Sequence, residues 1–394
     1  MLLAHGALTG LKVIDASRVL GGPICGQMLG DHGAEITKIE SPAGDDTRQW
    51  GPPFVGAVSA YFSGANRNKQ TQVLDFNRPE DFERFKDLVA GADVLIENFL
   101  PASSRKWGLT PEWTQALNPR LVHCRVAGFG SAGPMADQPA YDTAMQALCG
   151  LMSVNGDAQS GPLRVGLPVV DMSTGLNAMI GILLALHART VTGRGQFVET
   201  TLYANAVAML HPHTSNYFAD GKVPALTGNA HPNIYPYDCF KTLTGPIYLA
   251  IGNDRQFRSF CDELGQVEWA ERTEFSTNPQ RSVHRAQLRA LLAPALLQRD
   301  GAALTAALVQ RGVPCAEVRN VAQVLQSEQT RASGLLVALA GGYQGIASPI
   351  HLSETPPTYR LAPPLLPPRP QSDAFVTTPS CGQTGVPAAS RIQP

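Results

Sequence analysis

The sequence predicts an α/β protein with a doubly wound parallel sheet, followed by a smaller α+β domain. Two observations support this prediction: apolar strands alternate with amphipathic helices over the first 130 residues, and the composition changes after residue 220. The chain has 394 residues, more than a single core usually needs, and this length favours two domains.

The first predicted unit is a strand, a helix and a second strand within residues 11–40. Residues 11–16 and 34–40 are apolar enough for strands, Pro23 suits the first turn of a helix, and Gly33 suits the position after its end. A βαβ unit of this length implies parallel pairing of its strands. Because the turn contains Gly21, Gly22 and Gly26 rather than Gly-x-Gly-x-x-Gly, we do not expect nicotinamide binding, and Glu40 is interpreted as a strand-end acid.

The strand and helix pattern then repeats, with strands predicted at residues 71–76, 93–97 and 121–127. Asn77 is predicted to cap the intervening helix, which has Pro79 near its start. In parallel sheets ligands bind at the carboxyl ends of strands, so residues 17–20, 98–99 and 128–130 should lie on one rim.

Asp171 lies between an apolar run, residues 165–170, and a predicted helix over residues 172–189. Small residues line that helix: Gly175, Ala178, Gly181 and Ala185. A carboxylate at a helix N-terminus is favoured by free N–H groups and the helix dipole, which keep it ionised at neutral pH. Asp171 is therefore either a plain N-cap or a pre-oriented nucleophile or base.

Residues 41–69 form a long segment with few strand signals. Loops of this length in compact domains are usually functional or disordered. Arg48 and Lys69 are candidate contacts for a phosphorylated cofactor, and solvated surface charge is the alternative.

The second half of the chain is predicted to contain a strand at residues 197–201, a helix at 203–218 and a linker over 220–237. A hairpin at residues 239–251 and helices at 255–263, 283–297 and 302–310 follow. The predicted boundaries are 1–200 for the N-terminal part of the large domain, 201–235 for a helix and linker, and 236–330 for the small domain. Residues 331–394 return to the large domain and end in a Pro-rich tail from residue 363.

Composition excludes several classes of protein. The net charge is −1, which is unlike a nucleic-acid-binding protein. The seven cysteines contain no Cys-x-x-Cys pair, so we expect reduced thiols and no metal site. The longest apolar stretch that the sequence indicates, residues 178–186, is too short to span a membrane, and the N-terminus lacks a signal peptide pattern. We therefore expect a cytoplasmic protein without membrane partners.

Several short segments, in order and spacing, resemble the family III CoA-transferases, which include formyl-CoA transferase, carnitine CoA-transferase and the α-methylacyl-CoA racemases. The resemblance covers residues 8 to about 366 and is carried by residues 11–15, 22–23, 33–40, 66–69, 97–99, 128–130, 141–142, 170–171 and 193–196.

This resemblance implies a Rossmann-like large domain built from both chain ends, a small inserted domain and an interlocked homodimer. It implies that Asp171 is the catalytic aspartate, and that acyl-CoA and a carboxylic acid are substrates, with no tightly bound cofactor. It also places five residues at positions similar to the CoA site: Val19, Lys69, Asn98, Phe99 and Lys106.

The chemistry that the resemblance implies is covalent. Asp171 would attack the donor thioester to give a mixed anhydride, and the released thiolate would then form an aspartyl-CoA thioester. Backbone N–H groups near Asp171 would stabilise the oxyanions.

Departures from the family pattern bear on the substrate. Leu20 replaces a Gln of formyl-CoA transferase, and residues 228–234 replace its glycine-rich loop, which argues against formyl-CoA and oxalate as the pair. The loop is more similar to that of members using succinyl-CoA and small dicarboxylates. Arg48 and Arg255 are candidates for binding the second carboxylate of the acceptor.

Two other functions remain open at this point. An acyl-CoA racemase needs two bases. In the racemase branch the residue before the counterpart of Asp142 is a His, whereas here it is Tyr141. The reference pKa of a Tyr is ~10, which suits a base at neutral pH poorly. A non-catalytic acyl-CoA-binding protein is the third possibility, against which the presence of Asp171 argues.

Overall fold

A six-stranded parallel sheet forms the centre of the computed structural model, which describes residues 6–368. The strands in this range, numbered β1 to β15 in chain order, are Lys12–Ala16, Glu35–Glu40, Phe54–Val55, Val58–Ser59, Lys69–Val73, Val94–Glu97, Val122–Ala127, Gly156–Asp157, Gly161–Pro162, Phe197–Thr201, Tyr237–Lys241, Pro246–Ala250, Cys315–Glu317, Leu336–Leu339 and Tyr343–Ile346.

The helices in the same range are numbered α1 to α17 in chain order. They are Gly21–Asp31, Ala60–Ser63, Pro79–Ala90, Pro101–Trp107, Pro111–Leu117, Asp142–Leu148, Leu151–Val154, Val169–Thr192, Leu202–Ala208, His213–Asp220, Asp254–Leu264, Val267–Glu271, Asn278–Val283, Arg285–Leu297, Gly301–Gln310, Val321–Leu325 and Glu328–Ala332.

The strand order of the large sheet is β10-β7-β6-β1-β2-β5, and every neighbouring pair is parallel. Numbered by position in the chain, the six strands run 3-2-1-4-5-6, which is the Rossmann order. The predicted α/β class with a parallel, Rossmann-like sheet is confirmed.

Both faces of this sheet are covered by apolar packing. On β1, Val13 belongs to one buried cluster and Ile14 to another, and on β6 Ile96 and Leu95 divide in the same way. Neighbouring residues of a strand point to opposite faces, so the sheet lies between two hydrophobic layers. Helix α8 supplies part of the first layer.

Helix α8 begins at Val169 with Pro168 in the N-cap position. The helix was predicted to begin at residue 172, so its start lies three residues earlier, and Asp171 is the third residue of the helix rather than its cap. Two other predictions of local structure are also wrong. Arg78 rather than Asn77 occupies the cap position of α3, and the helix predicted at 203–218 is two helices, because Pro212 has no N–H to continue α9.

At 24 residues, α8 is also longer than the apolar stretch seen in the sequence. By length and composition alone it could cross a membrane, so the prediction that every apolar stretch is too short to do so is wrong. In the structure 44% of its most apolar window is buried, and Ala178, Ile182 and Ala185 lie in the core against the sheet.

A third hydrophobic cluster lies in the later part of the chain. The antiparallel strands β11, β12 and β13 and the helices α11, α14 and α15 surround buried residues that include Phe240, Phe257 and Leu288. The predicted hairpin and three helices are present at nearly the predicted positions. The domain boundaries themselves stay a prediction.

Residues 343–364 run back along the first part of the chain. The Asn68 Oδ1 accepts hydrogen bonds from the backbone N–H groups of Arg360 and Leu361, at 2.7 and 3.0 Å. Arg67 donates to the carbonyl of Ile346 at 2.6 Å. The Pro-rich tail was predicted from residue 363, and most of it lies outside the described residues.

Candidate active site

The loop after β1, residues 17–20, is held by hydrogen bonds from three sides. The Lys38 Nζ donates to the Ser17 carbonyl at 2.9 Å, the Asn98 amide bonds the N–H and carbonyl of Arg18 at 2.9 and 2.8 Å, and the Asp45 carboxylate accepts from the Val19 N–H at 3.3 Å. Val19 has φ of 71°, which is strained for a β-branched residue. The surrounding hydrogen bonds fix this shape and with it the start of α1.

Lys69 lies in the interior beneath this loop. Its Nζ donates to the Asp15 carboxylate at 2.8 Å, to the Pro23 carbonyl at 2.7 Å and to the Asn66 Oδ1 at 2.9 Å. All three donors of the ammonium group are used, and burial lowers the pKa of Lys69 to about 8 despite the neighbouring Asp15 carboxylate. The prediction that Lys69 contacts CoA is therefore wrong, because no part of the ammonium reaches the surface.

Arg48 is also committed to the protein. Its guanidinium bonds both oxygens of Glu40 at 2.7 Å and the Pro364 carbonyl at 3.0 Å, and it lies 3.8 Å above the ring of Phe62. Such a bidentate pair joins the end of β2 to the returning C-terminal segment. Neither predicted role of Arg48, phosphate contact or acceptor binding, fits this arrangement.

The first turn of α8 is capped by a side chain from α6. The Asp142 Oδ2 accepts from the N–H groups of Val170 and Asp171 at 2.8 and 3.1 Å, and its Oδ1 accepts from the Gln146 Nε2 at 2.6 Å. The N–H groups beside Asp171 are therefore occupied. An oxyanion at Asp171 would therefore need a backbone N–H from another part of the chain.

The carboxylate of Asp171 accepts no hydrogen bond from residues 6–368, although the residue is only 9% exposed. Burial, together with the nearby charge of Asp142, raises the pKa of Asp171 to about 7. The expectation of a carboxylate kept ionised by the helix dipole is thus wrong. Near pH 7 the group exchanges between acid and carboxylate, which is typical of a catalytic group.

An open donor next to Asp171 comes from α1 instead. A Cβ placed on Gly21 would lie 3.4 Å from the Asp171 carbonyl oxygen and 4.0 Å from its Oδ1. Gly21 is the first residue of α1, and its N–H has no partner within the described range. The positive end of α1 is therefore beside the Asp171 carboxylate.

Three cavities lie in a row along this edge of the sheet, with volumes of about 200, 100 and 440 Å³. The first and second share Arg18, Phe99 and Leu100 in their walls. The second and third share Val19, Tyr141 and Asp171. Asp171 thus lies where the second and third cavities meet. Because the second cavity contains residues from all three predicted rim loops, the prediction of that rim is confirmed.

The other predicted CoA residues are placed as follows. Phe99 lines the first two cavities, and Val19 lines the last two. Asn98 lines the second cavity, but both ends of its amide hold Arg18, so its direct role is to shape the loop. Lys106 is exposed and donates to the Asn77 Oδ1 at 2.6 Å. A contact of these residues with CoA stays a prediction.

Sequence reasoning missed most of the walls. The first cavity is lined by Phe76 and Trp107, whose ring centroids lie 5.1 Å apart, and by Asn77. The third is lined by Trp50, Tyr61 and Arg164. Two of these side chains could have been noticed: Trp50 and Tyr61 are aromatic residues in the long segment already suspected of function. Arg255, at the start of α11, lines none of the three cavities, which corrects its proposed role.

Metal-binding groups are not clustered in the part of the chain that the structure describes. No group of three His, Cys, Asp or Glu residues lies together there, and the six cysteines within this part are free.

The arrangement is that of an α/β enzyme with an unpaired carboxylate between two clefts. The model of CoA-transferase family III matches residues 8–367, so the chain belongs to this family and is a CoA-transferase. The predicted family and activity are confirmed.

Two curated relatives and one solved structure illustrate the match. Succinate–glutarate CoA-transferase of Agrobacterium fabrum is 37% identical over 370 residues, covering 91% of this chain and 92% of that protein. Acetyl-CoA:oxalate CoA-transferase of Acetobacter aceti is 37% identical over 350 residues, covering 88% and 90%. A CAIB/BAIF family protein from Brucella suis superimposes with a TM-score of 0.82 and 39% identity, covering 92% of this chain and 97% of that one.

Proposed function

We propose that this enzyme moves CoA from succinyl-CoA to a dicarboxylic acid of about the size of glutarate, through an aspartyl-CoA thioester on Asp171. The observation that carries the proposal is the Asp171 carboxylate, which has no hydrogen-bond or ion-pair partner in residues 6–368 and lies where two cavities meet. One relative acts on succinate and glutarate and another on oxalate, so similarity alone does not choose the acid. The size of the third cavity, about 440 Å³, favours a diacid longer than oxalate.

The row of cavities suggests how CoA binds. CoA is a long molecule with a nucleotide at one end and a thiol at the other, and the first two cavities together form a cleft that ends at the Asp171 carboxylate. The aromatic walls of the first cavity suit the adenine ring. Trp107 lines that cavity, and its indole N–H is buried without a partner in residues 6–368, so it is a free donor. The thiol would then reach Asp171 through the second cavity.

Each half-reaction balances without a cofactor. An Asp171 oxygen attacks the thioester carbonyl, the C–S bond breaks, and CoA leaves as a thiolate, which gives a mixed anhydride. The thiolate attacks the side-chain carboxyl carbon of Asp171, Cγ, the C–O bond of the anhydride breaks, and the donor acid leaves as a carboxylate. The acceptor carboxylate repeats these steps in reverse. Dividing the transfer in this way is what covalent catalysis supplies.

Two groups beside Asp171 can stabilise the oxyanions. The Gly21 N–H is unpaired and begins α1, and a donor of this kind is worth about 3 kcal/mol. Burial raises the pKa of Tyr61 to about 12, and the charges of Asp171 and Asp142 add to the effect. Its hydroxyl therefore stays protonated at neutral pH and can donate a hydrogen bond in the third cavity.

The racemase alternative lacks a second base in this geometry. The walls of the third cavity contain no histidine or lysine within the described residues, and Asp142 is already bonded by two N–H groups and Gln146. Tyr141 is 58% exposed and precedes Asp142 on the chain. Asp171 alone cannot remove and return a proton on opposite faces of one carbon.

A homodimer is part of the proposal. It is implied by the family resemblance, and an apolar stripe along α8 supports it. Leu176, Ile180 and Leu184 follow at intervals of four residues and are 42%, 53% and 65% exposed. A stripe of this kind on a soluble enzyme is typical of a surface that another chain covers. We also retain the prediction of a cytoplasmic location.

The test is product analysis with alternative acceptors. The enzyme is mixed with succinyl-CoA and, separately, with oxalate, malonate, glutarate and adipate, and the CoA esters are separated by chromatography. We expect glutaryl-CoA to form fastest. Parallel incubation of a 2-methylacyl-CoA in D₂O tests the racemase. Deuterium at the α-carbon without any new CoA ester would overturn the proposal.

A further inference from the structure

We propose that Arg164 binds the second carboxylate of the diacid and is the residue that makes the enzyme prefer diacids over monoacids. This inference rests on the proposed function, since it assigns the acceptor end of the same site. Arg164 lines the third cavity together with Asp171, on the side of the nucleophile away from the cavity suited to CoA.

The guanidinium of Arg164 is free to bind a ligand. It is exposed, and its recorded hydrogen bond is from Nη1 to the neighbouring Val165 carbonyl at 3.2 Å. No carboxylate in residues 6–368 pairs with it. Arg48, by contrast, bonds both oxygens of Glu40 and is 11% exposed at its side chain. An unpaired guanidinium at a cleft has donors in the geometry that a carboxylate fits.

Hydrogen bonds tie the backbone at Arg164 to the nucleophile. The Val165 N–H donates to the Gln146 Oε1 at 2.8 Å, the Gln146 Nε2 donates to Asp142 at 2.6 Å, and Asp142 accepts from the Asp171 N–H at 3.1 Å. The segment is also held before Arg164, where Asn155 exchanges two hydrogen bonds with Leu163. The base of Arg164 is therefore fixed relative to Asp171 by this relay of hydrogen bonds, although its side chain can move to meet a ligand.

The remaining walls leave Arg164 as the group that recognises charge. Among the described residues, the lining of the third cavity contains one cation, Arg164, and two carboxylates, Asp142 and Asp171. The aromatic rings of Trp50 and Tyr61, whose centroids lie 5.0 Å apart, form an apolar wall. A diacid whose first carboxylate meets Asp171 would place its methylenes against this wall and its second carboxylate at the guanidinium. A monoacid of the same length leaves the guanidinium without a ligand.

The experiment is a competition between glutarate and pentanoate, which have the same chain length and differ in the second carboxylate. Equal concentrations of both acids compete for enzyme loaded with CoA from succinyl-CoA, and the ratio of glutaryl-CoA to pentanoyl-CoA is measured. Because both acids compete for the same loaded enzyme, any effect of a variant on the donor step cancels. We expect the ratio to fall about 10- to 100-fold in Arg164→Met, the range expected when one charged hydrogen-bonded pair is lost.

Two variants serve as controls. Arg164→Lys keeps the charge but not the bidentate geometry, so its ratio should lie between those of the wild type and Arg164→Met. Arg255→Met removes another exposed arginine, one that lines none of the cavities, and should leave the ratio unchanged. An unchanged ratio in Arg164→Met, or an equal loss of both products, would overturn the assignment.

Equilibrium dialysis of glutarate separates this inference from the proposed function. Weaker binding of glutarate by Arg164→Met than by wild type supports the assignment even if no CoA ester forms, in which case the proposed function alone fails. If wild type makes glutaryl-CoA but Arg164→Met neither changes the ratio nor weakens glutarate binding, the assignment fails and the proposed function stands.

Discussion

Asp171 and Asp142 lie close together and behave differently because of their hydrogen bonds. Asp142 accepts from two backbone N–H groups and from Gln146, which satisfies its charge. Asp171 accepts none among the described residues, so burial and its neighbour hold its pKa at about 7. A carboxylate without partners has lone pairs free to attack a carbonyl, whereas a satisfied one positions the helix that carries the nucleophile.

This pair predicts how activity depends on pH. The nucleophile is the ionised form of Asp171, so kcat/KM should rise with pH through about 7 and level off above it, with about tenfold lower activity at pH 6 than on the plateau. In Asp142→Asn one of the two causes of the raised pKa is removed, and the midpoint should move to lower pH. Burial remains, so the midpoint should stay above 3.8. Initial rates from pH 5 to 9 measure this, with circular dichroism to confirm folding, and an unmoved midpoint would contradict the assigned coupling.

A second residue-scale prediction separates Lys69 from Lys106. Lys69→Met leaves Asp15 buried without its counter-ion and should destabilise the fold by about 3–5 kcal/mol. Lys106 is exposed and bonds Asn77 at the first cavity, so Lys106→Met should raise the KM for acyl-CoA several-fold with little change in stability. Urea unfolding and steady-state kinetics of both variants test this. A Lys69→Met protein of wild-type stability would disprove the structural role.

Residue identities could be predicted better than residue environments. The position of Asp171 between an apolar run and a helix left a cap or a nucleophile open, and the family resemblance favoured the nucleophile. The raised pKa of Asp171 could not be predicted, because it depends on burial and on Asp142, which lies 29 residues earlier in the chain. Lys69 and Arg48 were misassigned for a related reason: in the sequence a cation that pairs with an interior carboxylate is indistinguishable from one that faces a ligand.

At the scale of elements, the site depends on the close approach of α1 and α8. A Cβ on Gly175 of α8 would lie 2.5 Å from the Gly21 carbonyl oxygen and 2.3 Å from the Ile24 Cγ2, so the two helices can meet only with glycine at that position. This contact places the start of α1, with its unpaired Gly21 N–H, beside Asp171. The small residues noted in the sequence therefore have a function in the geometry of the site.

Gly175→Ala should consequently affect both folding and catalysis. We expect a loss of about 1–3 kcal/mol in the free energy of unfolding, because the added methyl group forces the helices apart. The rate of CoA transfer should fall by more than tenfold as the Gly21 N–H moves away. Gly91→Ala at the end of α3, where a Cβ would come no closer than 3.8 Å to any atom, is the matched control. Equal activity of the two variants would contradict this role.

Five of the six strands of the large sheet were predicted to within one residue, since short apolar runs between turn residues determine them locally. The sixth was predicted at 71–76 and lies at Lys69–Val73. The start of α8 was misplaced by three residues, because a short apolar run fits a strand or a helix equally well. The break between α9 and α10 depends on Pro212. This proline is visible in the sequence, and the single helix predicted at 203–218 did not take it into account.

On the scale of the whole molecule, the three cavities combine segments that are distant in the chain. The third cavity brings Trp50 and Tyr61 together with Tyr141, Arg164 and Asp171. The parallel sheet explains the rim, because its strands end at one edge. It does not explain the far wall, which is formed by long loops without a periodic pattern, and for this reason Arg164 was missed and Arg255 proposed.

The exposed stripe on α8 gives a prediction at this scale. If the enzyme is a homodimer that covers Leu176, Ile180 and Leu184, the double variant Ile180→Lys, Leu184→Lys should elute as a monomer in size-exclusion chromatography with light scattering. Val318→Lys, at a 55% exposed position after β13, should remain a dimer. A wild-type monomer at micromolar concentration would contradict the proposed assembly.

The covalent role of Asp171 is tested most directly by intact-protein mass spectrometry after mixing the enzyme with succinyl-CoA. We predict a mass increase equal to CoA minus water, mapped by peptide sequencing to Asp171, absent in Asp171→Ala and discharged when glutarate is added. No adduct on wild type in rapidly quenched samples, or the same adduct in Asp171→Ala, would contradict the proposed mechanism.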